Sequence, residues 1–315
     1  MSPLSIEVVR GDALDPESWD AFVQASPQGS VFALHAFART VAPGWQAAIV
    51  SSQGKWQAVM PFFPRKKYGL SVWSQPPFAQ TWGPMYAQVP GETAASAIRR
   101  QKDSLDLFLP LLKNPFKCTL HLAPEADYLL PLVWGGFRLT PRFTYRLDLR
   151  TSPEDIKQGY AESLRRQLKK ATQSGAGLEP APPEVLMELH REVRKGGRPL
   201  LGGLSSQDGL WDQLIAATVQ AGVARVLGVR AHTGGWLAAG LFGRCGSKTW
   251  YLGGAVQPGN SFASPALLAG AIGRAQAEGS LVFDFEGSMI TGIERFFRQF
   301  GGVPVPYWQA VRRRF

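Results

Sequence analysis

From residue 224 to the end of the chain the spacing of apolar residues switches repeatedly between strand and helix periods. That switching constrains the fold more than any other feature of the sequence. Residues 224–231, 236–243 and 249–256 read as strands. The turns His232-Thr233-Gly234-Gly235 and Cys245-Gly246-Ser247-Lys248 join them as hairpins. Leu267, Leu268, Ala271, Ile272 and Ala275 then recur at helical spacing behind Ser264 and Pro265, which read as cap and first-turn proline, and Gly279 closes the helix. Residues 281–286 read as a strand. Thr291 and Glu294 have capping-box spacing ahead of a helix with Ile293, Phe296, Phe297 and Phe300 on one side. Gly301-Gly302 stops that helix, and residues 303–311 form a last strand, followed by the basic tail Arg312-Arg313-Arg314.

The first half reads as mixed α/β. Strands are expected over 45–51 and 55–63, joined at Ser52-Gln53-Gly54, and again over 70–74, 117–122 and 145–149. Residues 93–112 have helical spacing with Pro110 near the end, and Gly135-Gly136 is a break. Ser152 as N-cap, Pro153 in the first turn and Asp155 open a helix expected to run to Gly175. Its apolar stripe is Ile156, Tyr160, Leu164, Leu168 and Ala171, with Arg165, Arg166, Lys169 and Lys170 opposite. Helices over 184–195 and 208–221 flank a basic glycine-rich loop that contains Arg198. Gly54, Trp56, Ala58 and Phe62 are matched at equal spacing by Gly234, Trp236, Ala238 and Phe242, each on the second strand of a hairpin. This echo points to two related lobes, 1–143 and 144–315.

A chain of 315 residues with 45% hydrophobic and 18% charged residues buries a full core rather than staying disordered. No apolar run reaches the roughly 20 residues of a membrane helix, and the N-terminus lacks the charged start and apolar block of a signal peptide. Cys118 and Cys245 fit neither a metal motif nor a disulfide framework, which makes a reducing cytoplasm the simplest compartment. The formal net charge of +10 suits RNA, a nucleotide-linked substrate or peripheral contact with an anionic membrane; a merely solubilising surface is the other reading. There is no P-loop, no dinucleotide fingerprint, no zinc motif among His35, His121, His190 and His232, and no nucleophile elbow at Ser205 or Ser288.

Four segments carry a family resemblance: Tyr251-Leu252-Gly253-Gly254-Ala255, Ser264-Pro265-Ala266-Leu267-Leu268, Phe283-Asp284-Phe285-Glu286-Gly287-Ser288, and Gly292-Ile293-Glu294-Arg295-Phe296-Phe297-Arg298-Gln299-Phe300-Gly301. With the element order from 224 onward they resemble the C-terminal core of GNAT acyltransferases, and in detail the Fem-type (FemAB-like) aminoacyl and peptidyl transferases of bacteria. The basic helix around Ser163–Ala171 is similar to the one that opens the second lobe in that family. The resemblance implies an α/β fold of the α+β type: two tandem GNAT-like lobes, each a mixed, mostly antiparallel sheet flanked by helices. The catalytic core would be 224–311, with the final strand packing on the N-terminal lobe. It further implies transfer of an acyl or aminoacyl group to an amine by direct attack, with no metal and no tightly bound cofactor. The donor would be acyl-CoA or aminoacyl-tRNA. The acceptor would be a small-molecule amine or a nucleotide-linked precursor of peptidoglycan. The loop Gln257-Pro258-Gly259-Asn260-Ser261-Phe262-Ala263 is one residue shorter between Gln and Gly than the CoA-binding loop of GNAT enzymes, and Arg298 stands where Fem-type enzymes usually carry Lys. An inactive GNAT-like module that binds nucleic acid or another polyanion is the alternative outside enzymology.

Within this frame the candidate catalytic residues are Asp284, Glu286, Arg298 and Tyr251. Asp284 and Glu286, two apart on one strand, are expected on the same face as candidate bases, or as structural ion partners. Arg298 would stabilise an oxyanion or phosphate, or lie solvated on an amphipathic helix. Tyr251 and Tyr307 would donate a proton to a leaving group, or pack. Arg165, Arg166, Lys169 and Arg198 would grip phosphates, or form a solvated surface. Ser264 and Phe297 complete the substrate-binding candidates.

Overall fold

The computed structural model describes residues 3–195, 208–287 and 289–314. In chain order the elements are β1 (Ser5–Arg10), α1 (Pro16–Ala25), α2 (His35–Val41), β2 (Gln46–Ser52), β3 (Lys55–Phe62), β4 (Pro64–Lys67), β5 (Leu70–Trp73), β6 (Met85–Tyr86), α3 (Ala94–Lys113), β7 (Lys117–His121), α4 (Leu130–Trp134) and β8 (Arg138–Asp148). They continue with α5 (Pro153–Gln158), α6 (Glu162–Gln173), β9 (Gly177–Pro180), α7 (Pro183–Lys195), α8 (Asp208–Gln220), β10 (Ala224–Arg230), β11 (Trp236–Cys245) and β12 (Lys248–Val256). The last are α9 (Ala263–Ala277), β13 (Val282–Asp284), α10 (Thr291–Arg298) and β14 (Val303–Arg313). The chain divides into two compact units, Met1–Arg142 with Pro306–Phe315, and Phe143–Val305.

The first unit holds a sheet of order β1-β2-β3-β6 and a second run of strands, β4-β5-β7-β14. Helix α3 buries Leu105, Phe108 and Leu112 against Val50, Ala58, Met60 and Phe62, and Phe62 stacks on Trp73 with ring centroids 4.1 Å apart. The helix continues through Pro110 to Lys113. Deeper in this unit His121 is held between the Gln80 carbonyl (3.1 Å from Nδ1) and the Gln309 side chain (2.9 Å from Nε2).

In the second unit the sheet order is β8-β13-β12-β11-β10-β9. Every pair is antiparallel except β12–β13, whose parallel register requires the crossover helix α9. Leu267, Leu268, Ala271 and Ile272 of α9 are buried with Leu227, Ala238, Phe242 and Phe283 of the sheet. Both units thus build a mixed sheet flanked by helices, as the two-lobe reading expects.

The internal echo has a structural counterpart. In β2–β3 the register steps from Val50↔Ala58 to Ser51↔Trp56, so Gln57 is an extra residue on its strand. In β10–β11 it steps from Val229↔Ala238 to Arg230↔Trp236, leaving Leu237 in the same position. The spacing Trp-x-Ala therefore marks the same bulge in each hairpin.

Several expected boundaries move. The helix expected over 152–175 is two, α5 and α6, separated at Gly159-Tyr160-Ala161, where the Ala161 amide leaves the helical ladder and donates to the Gln299 carbonyl (2.8 Å). The apolar stripe survives the break because Ile156, Tyr160, Leu164 and Ala171 all enter the core. Ser152 caps α5 as expected, accepting from the Asp155 amide at 3.1 Å. Residues 177–180, where the sequence predicts no helix or strand, form the edge strand β9. Helix α9 starts at Ala263, so Ser264 lies in its first turn and does not cap it. Thr291 is likewise the first helical residue of α10, and no side chain caps that helix.

Candidate functional site

The parallel pair β12–β13 is short, running only from Lys248↔Val282 to Trp250↔Asp284. Past that point β12 continues from Tyr251 to Val256 against β11 alone, while the other chain turns away. The strands part there, with Tyr251 on β12 and Glu286 two residues past the end of β13. Glycines let side chains lie flat against this stretch of β12. A Cβ on Gly254 would sit 2.6 Å from the Tyr251 hydroxyl, and one on Gly253 would sit 3.2 Å from the Trp211 ring. The Tyr251-Leu252-Gly253-Gly254 motif thus encodes a strand over which two aromatic rings fold down.

The turn that ends β13 is built around Asp284. Its carboxylate is fully buried and fully engaged: it accepts from the Thr144 hydroxyl (2.6 Å), the Arg146 Nε (2.7 Å) and the backbone amide of Glu286 (2.8 Å). The second contact is a cross-strand ion pair, because Asp284 faces Arg146 in the β13–β8 register. The third fixes the turn. Glu286 adopts φ of 59° and Gly287 follows at 29°, left-handed backbone that carries the chain over β8. A Cβ on Gly287 would lie 2.3 Å from Thr144 Cα and 2.5 Å from the Phe143 carbonyl oxygen, so only glycine fits.

This geometry corrects the expectation that Asp284 and Glu286 share a strand face. The strand stops at Asp284, and a residue in left-handed conformation no longer follows the alternation of the pleat. Asp284 anchors, whereas Glu286 is presented: half-buried, with no hydrogen bond or ion pair to its carboxylate among the described residues. Burial, with the nearby Asp284 charge adding to it, holds the Glu286 carboxyl well above the ordinary glutamate value. Tyr251 is affected in the same direction: burial first and the Glu286 charge second keep its phenol protonated. Its ring lies 5.4 Å from Phe242 and edge-on to Phe297 at 6.3 Å.

The remaining candidates fall as follows. Phe297 belongs to the core, 5.1 Å from Phe285, and meets the site only through the edge of Tyr251. Arg298 is solvent-exposed and pairs with Glu294 one turn earlier (3.2 Å), which also accepts from the Tyr145 hydroxyl (2.7 Å). Ser264 is half-buried in the first turn of α9. Arg165 and Lys169 are exposed on α6 with no ion-pair partner among the described residues, and Arg166 pairs with Glu162 at 2.6 Å. Tyr307 belongs to the first unit, where Arg142 Nε donates to its hydroxyl at 3.2 Å. Arg198 lies outside the described residues. Asp284 and Glu286 are therefore joined by the turn, and Glu286 lies near enough to Tyr251 for its charge to favour the neutral phenol, whereas Arg298 has its own partner. Thr144 and Arg146 escaped the sequence reading. The alternation of β8, which puts Thr144 on the same face as Arg146, the residue opposite Asp284, was the available signal.

No family model and no curated protein sequence matches the chain. Solved structures do. The crystal structure of FemX matches with a TM-score of 0.74 at 15% sequence identity, over 96% of each chain. L-PGS from Bacillus licheniformis matches with a TM-score of 0.59 at 15% identity, over 96% of this chain and 93% of that one. A tandem GNAT protein from the clavulanic acid biosynthesis pathway matches with a TM-score of 0.55 at 13% identity, over 99% and 98%. At such identities the likeness is one of fold, and the fold is the tandem GNAT-like, Fem-type arrangement of two lobes.

Proposed function

We propose that this Fem-type tandem GNAT-like chain is an acyltransferase. It moves an acyl or aminoacyl group from an activated donor onto an amine by direct attack, in the cytoplasm of a bacterium. The observation that carries the reading is the Glu286 carboxyl, presented at the parting of β12 and β13, desolvated and without a partner among the described residues. Attack by an amine requires loss of a proton, and a carboxylate whose affinity for protons is raised by burial is a better base near neutrality than an exposed one. Tyr251, kept protonated beside it, is the group placed to protonate the leaving thiolate or alkoxide. Asp284 positions Glu286 through its backbone amide. Cys118 and Cys245, both buried and neither in a disulfide, suit a reducing compartment.

The donor is acyl-CoA or aminoacyl-tRNA. The cations Arg165 and Lys169 on α6, without an ion-pair partner among the described residues, favour a phosphate-rich substrate, and the Fem-type resemblance of the C-terminal motifs favours the aminoacyl-tRNA reading with a peptidoglycan-precursor acceptor. The test is transfer of a labelled group from acetyl-CoA, a longer acyl-CoA or aminoacyl-tRNA, comparing the wild type with Glu286→Gln. Transfer from one donor, reduced about 10²- to 10⁴-fold by the substitution, is the expected result. Transfer that Glu286→Gln leaves intact removes Glu286 as the base, and absence of transfer from every donor favours the polyanion-binding module.

A further inference from the structure

The hairpin β4–β5 in the first unit carries a conformation that no contact among the described residues explains. Its registered pairs, Lys67↔Leu70 and Lys66↔Ser71, leave Tyr68-Gly69 as a two-residue loop with φ of 49° and 76°. Such a loop favours Asn-Gly, because a bulky side chain is disfavoured in left-handed backbone. Here the first position is tyrosine. Tyr68 is 92% exposed, and its one ring contact among the described residues is the Lys67 ammonium, 5.7 Å from the centroid. Leu70 beside it is 45% exposed. A strained aromatic with no packing return marks a contact made outside the chain.

The surroundings give the charge of that contact. Arg65, Lys66 and Lys67 are exposed on β4. Next to β5 lies β7, with Val72↔Lys117 in register, and Lys117 faces Arg313 of β14. Phe116, 41% exposed, donates its amide to the Ser71 carbonyl and accepts from the Arg314 amide, which ties it to both strands. By register Arg65, Lys67, Leu70, Lys117 and Arg313 share one face of this sheet. No aspartate or glutamate occurs in residues 63–72, 113–117 or 311–314.

We propose that this hairpin and the adjoining strands dock the protein on the surface of an anionic lipid bilayer. The basic residues meet the headgroups while Tyr68, Leu70 and Phe116 enter the interfacial layer. Cations alone would suit any polyanion; exposed tyrosine and leucine at a protruding tip, ringed by lysine and arginine, fit an interface that is apolar within and charged outside. Tyrosine is the side chain suited to that boundary, with an apolar ring and a polar end.

The experiment is co-sedimentation of the full chain with phosphatidylcholine vesicles and with vesicles containing phosphatidylglycerol, at low and physiological salt, with tRNA as competitor. Binding to the anionic vesicles alone is expected. Arg65→Ala/Lys67→Ala weakens it by about 25-fold, since each basic residue at an anionic surface contributes about fivefold. Lys55→Ala/Arg99→Ala, the same charge change at exposed positions elsewhere in this unit, leaves it nearly unchanged. Tyr68→Asn/Leu70→Thr keeps turn and strand preferences and weakens binding about tenfold at physiological salt, where the apolar contribution persists. Failure to bind phosphatidylglycerol vesicles, equal loss in the charge-matched control, or no effect of Tyr68→Asn/Leu70→Thr overturns the proposal. Binding of tRNA that depends on Arg65 and Lys67 without vesicle binding would reassign the surface to nucleic acid.

Discussion

Arg146 donates from Nε to the buried carboxylate of Asp284 at 2.7 Å, across the antiparallel pair β8–β13. The same carboxylate holds the Glu286 amide, so one residue sets both the packing of the turn and the aim of the proposed base. Removing one partner of a buried pair strands the other charge, and Asp284→Asn is expected to lower stability by about 3 kcal/mol in urea unfolding. Any transfer activity should fall with it, because the turn that presents Glu286 loosens.

Glu286→Gln should behave in the opposite way on stability. The folded-state pKa of Glu286 is raised above 4.5, so folding favours its protonated form. Its contribution is fully present below 4.5 and is lost as pH rises through the raised folded value. Relative to wild type, Glu286→Gln should therefore melt at a similar temperature in acid and at a higher one near neutrality. A base must be deprotonated, so transfer by the wild type should rise with pH through the same raised value.

Gly287→Ala tests the turn itself. With a Cβ 2.3 Å from Thr144 Cα and 2.5 Å from the Phe143 carbonyl oxygen, all backbone, nothing flexible can yield. The expected loss is about 2 kcal/mol or more, read from the denaturation midpoint, along with loss of transfer.

Arg298→Ala should change stability by less than about 0.5 kcal/mol, since its pair with Glu294 is exposed. If the guanidinium meets a donor phosphate, transfer falls about tenfold in a salt-dependent way, measured as kcat/KM. Unchanged kcat/KM would leave Arg298 a surface residue.

His121 in the first unit gives a pH signature independent of catalysis. Burial first, then the Arg142 charge, pull its pKa down from 6.5 to about 4. The stability it contributes is present above 6.5 and is lost as the pH falls through about 4, because only the unfolded chain accepts the proton readily. His121→Asn should flatten that part of the stability curve, measured by chemical denaturation across the range.

The sequence by itself determined the order of elements from Ala224 onward, the apolar faces of α6, α9 and α10, and the two-lobe echo. These depend on local periodicity, and the core then uses the same faces: Leu164, Leu268 and Phe297 are all buried. Even the bulges at Gln57 and Leu237 were implicit in the matched Trp-x-Ala spacing. Only the tertiary structure decided what Asp284, Glu286 and Arg298 are. Two acids two residues apart look equivalent along a strand. Arg146, more than a hundred positions away in the chain, closes on one of them, and the left-handed backbone at Glu286 turns the other aside. A partner's identity and a departure from the pleat are long-range properties, and burial, which sets the proton affinity of Glu286, exists only once the sheet has closed around it.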